Sequence, residues 1–160
     1  MDKDLFYAVI KKYKDSIFAI AFQYCKNPYD ADDVVQEVFL KYYTVEKEFE
    51  SEEHIRNWLI RVAVNTSKKL VISPWKKRHL SLEDYVETLT FEEPEESEVF
   101  YAVMELPEKY RIVVHLYYQE GYSTKEVAEI LHIRESTVST RLLRARKMLK
   151  EKLQEVWKDE

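Results

Sequence analysis

The chain has 160 residues, 46% hydrophobic and 34% charged, with a formal net charge of -5. That balance is globular rather than disordered, and the length fits one ordinary domain or two small ones. One glycine argues against an all-β fold with its turn glycines, and one cysteine, Cys25, excludes an intrachain disulfide or a Cys-rich zinc site.

The N-terminal stretch MDKDLFYAVIKK opens with acids and has no signal-peptide apolar segment. No apolar run reaches membrane-spanning length, so a reducing, cytoplasmic location is expected and Cys25 reads as a small core residue. Residues 4–25 place Phe6, Val9, Ile10, Tyr13, Ile17, Ile20, Ala21 and Tyr24 at helical spacing, one apolar stripe. NPYDADD breaks that helix, and Asp30 is expected to N-cap the next. This second helix buries Val34, Val35, Val38, Phe39 and Tyr42, with Asp33, Gln36, Glu37 and Leu40 on its other side. A leucine among acids and an amide hints at a protein-binding face.

A loop, TVEKEFESEE, carries Phe49 among glutamates. A third helix is expected over about His54 to Ile72. Ile55, Leu59, Val62, Ala63, Thr66 and Leu70 mark its buried side, while Asn57, Arg61, Val64, Asn65 and Lys68 project from the opposite half. Seven basic residues and no acid lie between Arg56 and His79. Ordinary solvated faces mix signs, so this one suits a nucleic-acid backbone with some base reading.

Between Ser81 and Met104 come eight acids and no Lys or Arg, in a weakly periodic stretch with a proline that reads as a linker. Val99, Phe100, Val103 and Met104 suggest a short helix, Pro107 starts another, and Gly121 ends it as a left-handed cap. Ser123-Thr124-Lys125-Glu126 is a capping box. The helix it opens stops near His132, and a second runs from about Arg134–Ser136 past Lys150 with an apolar stripe of Val138, Leu142, Ala145, Leu149, Leu153 and Val156. Ser136, Thr140, Leu143, Arg144 and Lys147 lie outward, flanked by Ser139 and Arg146 on one edge and Arg141 on the other. Five basic residues and no acid fall between Arg141 and Lys150. Two helices, a tight turn, and hydroxyls with arginines facing out describe a helix-turn-helix presenting a recognition helix.

The chain as a whole resembles bacterial RNA polymerase sigma factors of the extracytoplasmic-function (ECF) class. DADDVVQEVFLKYY is similar to the second conserved segment of sigma region 2, and WLIRVAVNTSKKL to its promoter-melting, −10-reading helix. LPEKYRIVVHLYYQEGYSTKEVAEILHIRESTVSTRLLRARKMLKEKL resembles region 4, the −35 reader. The resemblance implies an all-α fold of two small helical domains: region 2 over 1–75, a linker over 76–97, and region 4 over 98–160. It implies that Asp33, Gln36, Glu37 and Leu40 dock on the clamp of the largest polymerase subunit. Phe49 and Asn65 match the pocket for a −10 base turned out of the duplex, and Arg61 and Lys68 would hold phosphates nearby. Ser139, Thr140, Leu143 and Arg144 match −35 base-facing positions, with Arg141 and Arg146 on the backbone. The implied partners are core RNA polymerase (clamp and the flap of the second-largest subunit), promoter DNA and an anti-sigma factor. No cofactor or membrane insertion is implied. Two departures stand out: His132 occupies a turn position where relatives usually carry glycine, and Arg134 stands where they often have a capping serine.

Two other function classes make demands that this sequence does not meet. A helix-turn-helix regulator acting without polymerase would need a sensor or dimerisation domain, and none is evident. An enzyme such as a metal-dependent nuclease would need clustered ligands, whereas His54, His79, His115 and His132 lack metal-ligand spacing.

Overall fold

The computed structural model describes residues 1–72 and 94–158, with side chains from 97 to 155 in the second stretch. Most of the expected linker, its acidic run and His79 lie outside these residues. All secondary structure described is helical, as expected. The chain divides into two compact units, Met1–Leu82 and Glu83–Glu160.

The N-terminal unit holds three helices: α1 (Lys3–Cys25), α2 (Pro28–Thr44) and α3 (Glu52–Val71), each packed on the other two. Asp2 caps α1 by accepting from the Asp4 N–H at 2.9 Å, and Lys26 closes it in the left-handed region at φ 50. The cap of α2 is Asn27, not Asp30. Its side-chain oxygen accepts from the N–H groups of Tyr29 and Asp30, and Pro28 takes the first helical position, where a missing N–H is no loss. Asp30 is instead buried in the first turn. Ser51 caps α3 by accepting from the His54 N–H at 3.1 Å.

Ile17, Ile20, Val34, Val38, Tyr42, Leu59 and Ile60 are essentially fully buried between the three helices. Val64 joins them, against the expected projection from the outer half of α3. A helix with two neighbours buries a wider arc than one stripe allows, and Ser67 is taken inside too. Val35 is half-buried, as is Cys25 at the end of α1. Tyr42 anchors an aromatic cluster, with ring centroids 6.0 Å from Phe6, 5.7 Å from Phe49 and 6.0 Å from Trp58. Burial pushes the Tyr42 phenol above its ordinary value. Lys12 and Tyr13 of α1 both donate to Glu52 at the start of α3. The hydrogen bond from Lys12, then that from Tyr13, holds the Glu52 carboxyl below the usual range.

The C-terminal unit comprises α4 (Pro94–Glu105), α5 (Glu108–Val114), a π-helical turn (His115–Gln119), α6 (Thr124–Leu131) and α7 (Glu135–Lys158). α4, α5 and α6 all pack on α7. α4 starts at Pro94, earlier than the apolar pattern from Val99 indicated, with proline again at a first helical position. Arg111 is 4% exposed and donates to the carbonyls of Leu106 (2.7 Å) and Met104 (3.4 Å), satisfying acceptors left over where α4 ends. Lys152 of α7 pairs with Glu105 of α4 at 2.7 Å.

Pro107, expected in the first turn, is the cap residue of α5, which starts at Glu108, and the helix was expected to continue to Gly121. Instead its last turn widens: the Glu120 N–H donates to the His115 carbonyl five residues back, at 3.1 Å, and His115 Nε2 lies 3.3 Å from the Glu120 carboxylate. Gly121, at φ 76, then lets the Tyr122 N–H reach back to Leu116. The capping box forms in full, Ser123 accepting from the Glu126 N–H and the Glu126 carboxylate from the Ser123 N–H.

Candidate nucleic-acid and polymerase-binding faces

Arg61, Asn65 and Lys68 of α3 are all exposed, and their spacing of four and three residues puts them on one side of the helix. Asn57, expected on the same face, is half-buried. Trp58, half-buried, continues the stripe toward the start of α3, three residues before Arg61 and seven before Asn65. It was not singled out from the sequence, because an indole on an amphipathic helix reads as core. Its spacing from Asn65, two turns to within about 20°, is the signal that finds it. Phe49 leans on this Trp58 edge-on at 5.7 Å and on His54 at 5.1 Å, so it is half-buried and held rather than free in its loop. A groove of about 690 Å³ opens beside it, lined by Leu5, Val45, Lys47, Phe49 and Ile55 among others. Asn65 lies about 10 Å along α3 from Trp58, the residue on which Phe49 leans.

On α2, Gln36, Glu37 and Leu40 are exposed, Leu40 at 63%. Glu37 pairs with Lys41 one turn on, at 3.3 Å. Lys41 also reaches Thr66 of α3 at 3.4 Å. Asp33 is half-buried and already has a partner. Leu40 is not alone. Tyr7 and Tyr43, both exposed, share a shallow hollow of about 320 Å³ with it, together with Lys3 and Phe6. An isolated exposed leucine signifies nothing, but a contiguous apolar patch does.

In the C-terminal unit, His132 adopts the left-handed conformation at φ 55, so the turn keeps its geometry without glycine. Arg134 supplies backbone acceptance only, its carbonyl taking the Thr137 and Val138 N–H groups. In place of a serine cap, the Thr124 hydroxyl of α6 donates to the Glu135 carboxylate of α7 at 2.9 Å. Val138, Leu142 and Ala145 are buried, which turns Ser139, Thr140, Leu143, Arg144 and Lys147 to solvent. Leu143 is 67% exposed, Arg141 half-buried. The Thr140 hydroxyl back-bonds to the Ser136 carbonyl at 2.9 Å, leaving its oxygen as an acceptor toward solvent. Arg146 is exposed but not loose. Its Nε donates to the Tyr118 hydroxyl at 2.6 Å, and its guanidinium lies 5.8 Å and 5.6 Å from the Tyr117 and Tyr118 ring centroids.

Residues 9–73 match the family model for sigma-70 region 2, and residues 97–149 that for sigma-70 region 4. The chain is 30% identical over 170 residues to the ECF RNA polymerase sigma-E factor of Escherichia coli K12, an alignment covering 96% of this chain and 88% of that protein. The chain belongs to the sigma-70 family, in its ECF group. Like that family, the ECF factor is not an enzyme; it directs RNA polymerase to promoters through its region 2 and region 4 domains. ECF sigma factor SigW of Bacillus subtilis is 29% identical over 172 residues, 97% of this chain and 92% of that one. Two solved structures share the fold. CnrH, in complex with the cytosolic domain of CnrY, aligns with a TM-score of 0.70 at 22% identity, over 96% of this chain and 90% of that one. RpoE of Bartonella quintana, in complex with the anti-sigma factor NepR, gives 0.68 at 20% identity, over 96% and 98%. Among the described residues no helix is long and apolar enough to cross a membrane.

Proposed function

We propose that the exposed faces divide promoter recognition as follows, over a region 2 of residues 1–75, a linker of 76–97 and a region 4 of 98–160. The observation that carries the reading is the outward stripe of α3, where Trp58, Arg61, Asn65 and Lys68 line up with no carboxylate among them. Phe49 and Asn65 bound the site of one −10 base turned out of the duplex, with the groove beside Phe49 receiving its flat face. Arg61 and Lys68 contact the flanking phosphates, whose charge they neutralise with release of counterions. On α7, Ser139, Thr140, Leu143 and Arg144 face the −35 bases. Hydroxyls meet base edges, Leu143 a thymine methyl, and Arg144 forks onto guanine, while Arg141 and Arg146 hold the backbone.

Gln36, Glu37 and Leu40, with Asp33 at the rim, form the docking face for the clamp of the largest polymerase subunit. Tyr7 and Tyr43 extend its apolar centre, since stable docking needs buried aromatic or aliphatic anchors. Region 4 rests on the flap of the second-largest subunit. An anti-sigma factor is a further partner, supported by CnrH and RpoE, solved with CnrY and NepR. The site of action is cytoplasmic, where polymerase and DNA are.

The test is run-off transcription with core polymerase on a genomic promoter library, repeated with Asn65→Ala and with Glu37→Lys/Leu40→Arg. Asn65→Ala keeps holoenzyme formation and loses promoter melting. The double variant loses holoenzyme while keeping its helicity. Normal melting by Asn65→Ala removes the −10 assignment, and unchanged core affinity of the double variant removes the docking face.

A further inference from the structure

The π-helical turn puts two tyrosines beside the recognition helix, and the assigned −35 contacts leave them unused. An α-helical turn repeats its direction every 3.6 residues; widening it over His115–Gln119 shifts the residues that follow, a distortion frequent at functional sites. Tyr117 and Tyr118 stand edge to face, 4.9 Å apart at 83°, and both rings lie against Arg146. Tyr118 is 53% exposed, so packing alone does not explain a tyrosine there. Among the described residues no carboxylate pairs with Arg146, which sits on the edge of α7 that also carries Ser139.

The hydrogen-bond inventory determines what remains free. The Arg146 Nε–H is spent on the Tyr118 oxygen. The two Nη groups keep their donors, and the Tyr118 hydroxyl keeps its hydrogen after accepting from Nε. Two neutral-to-cationic donor groups therefore point from one place, with the guanidinium plane fixed by aromatic contact and so robbed of little further rotamer freedom on binding. A nucleic-acid phosphate, with several acceptor oxygens and a full charge, is the ligand class that takes both.

We propose that Tyr118 and Arg146, backed by Tyr117, form a single phosphate clamp on the DNA backbone at the edge of the −35 element. Tyr118 both orients the guanidinium and donates to the phosphate, so the two residues act as a coupled unit. The proposal rests on the −35 reading of α7.

The test is a salt titration of the full chain on a mixed-sequence DNA duplex, because a phosphate contact needs no particular sequence. Arg146→Gln flattens the slope of log affinity against log salt by about 0.9. Tyr118→Phe keeps the charge and therefore the slope, but weakens binding about three- to tenfold. In the Arg146→Gln background the same tyrosine substitution weakens binding by a clearly smaller factor than in the parent, because the partner it orients is gone and only its own donation to the phosphate is left to lose. Tyr118→Phe is exposed and conservative; unchanged helicity and melting temperature exclude a folding defect. Wild-type binding by Tyr118→Phe, or an equal loss in both backgrounds, overturns the clamp. If Arg146→Gln flattens the slope while Tyr118→Phe is silent, Arg146 is a lone contact and the −35 reading stands. If Arg141→Gln and Arg146→Gln both leave slope and affinity unchanged, the −35 reading itself falls, and the clamp with it.

Discussion

The two units each wrap short amphipathic helices around one core, but what fixes their geometry differs. In region 2 the helices are 23, 17 and 20 residues long and every pair is packed, so each orientation is set by many side chains at once. In region 4 the elements before the recognition helix are short, and their directions change at single backbone features: the π turn, Gly121 at φ 76, the capping box and His132 at φ 55. Isolated helices of seven or eight residues are unstable in water, so these turns lean on packing against α7 and on the backbone and capping hydrogen bonds made where the chain bends. The outward face of α3 thus stands on distributed packing, and that of α7 on a chain of local devices. Substitutions that distinguish the two kinds of support should behave differently, and the comparison breaks if they do not.

The largest effect is expected in the region 2 core. Leu59 of α3 is fully buried, and Leu59→Ala should cost about 2–5 kcal/mol. Peptide-resolved hydrogen exchange should show protection falling together across α1, α2 and α3. Loss confined to α3 would mean that the three helices are not one cooperative body. Arg111→Met comes next. It removes the donor to the Met104 and Leu106 carbonyls in a buried site, at about 1.5–3 kcal/mol, and exchange should rise first at the end of α4 and the start of α5. Uniform loosening of the whole of region 4 would remove the contrast between the two units.

These same differences governed what the sequence disclosed. The long helices were legible from apolar spacing, the helix after Pro107 from its bounding proline and glycine, and the capping box from four residues, because these rules are local. Val64 was misplaced because spacing assumes one neighbour, and α3 has two. Asp30 and Asn27 are both good caps by residue type; what separates them is Pro28, which favours the first helical position and so points to the residue before it. The π turn has no sequence rule, which is why Tyr117 and Tyr118 passed as ordinary helix residues and the Arg146 contact was invisible. Of the residues expected to face outward, Arg61, Asn65 and Lys68 of α3 and Ser139, Thr140, Leu143, Arg144 and Lys147 of α7 are exposed, while Asn57 is half-buried. Trp58, Tyr7 and Tyr43 escaped because an aromatic side chain looks alike whether it fills a core or awaits a partner.

A smaller effect sharpens the comparison on the region 2 side. Asn27→Ala removes the acceptor for the Tyr29 and Asp30 N–H groups and should cost about 1 kcal/mol, whereas Asp30→Asn should leave the cap intact. Chemical denaturation of each variant measures this. Alkaline titration adds an independent check. Tyr13 and Tyr42 are raised above the ordinary 10.0, both chiefly by burial, so the folded unit holds these protons more tightly than the unfolded chain. Their contribution is complete below 10.0 and is lost as pH rises through the folded values, so region 2 should weaken first in strong alkali.

The smallest effect tests the local devices most directly, because it asks whether one can be improved without moving anything else. His132 holds φ 55 with a Cβ present, and its N–H and that of Ile133 both close on the Ala128 carbonyl. The left-handed region costs a residue with a side chain roughly 1–2 kcal/mol, which glycine escapes. Against that stands the greater freedom glycine has in the unfolded chain, about 0.4–1 kcal/mol. The His132 side chain is exposed, so its removal forfeits little packing. His132→Gly should therefore stabilise region 4 by up to about 1.5 kcal/mol, read as a rise in its melting temperature. The converse change, Gly121→Ala, meets no atom within 4 Å of the added Cβ and should lose stability through φ alone, a penalty of about 1–2 kcal/mol less the roughly 0.4–1 kcal/mol regained from the stiffer unfolded chain. Since the backbone path into α7 is unaltered, His132→Gly should bind −35 DNA as the parent does. A stabilised variant with weakened binding would show instead that the histidine side chain itself reaches the DNA, and that the turn residue serves recognition as well as geometry.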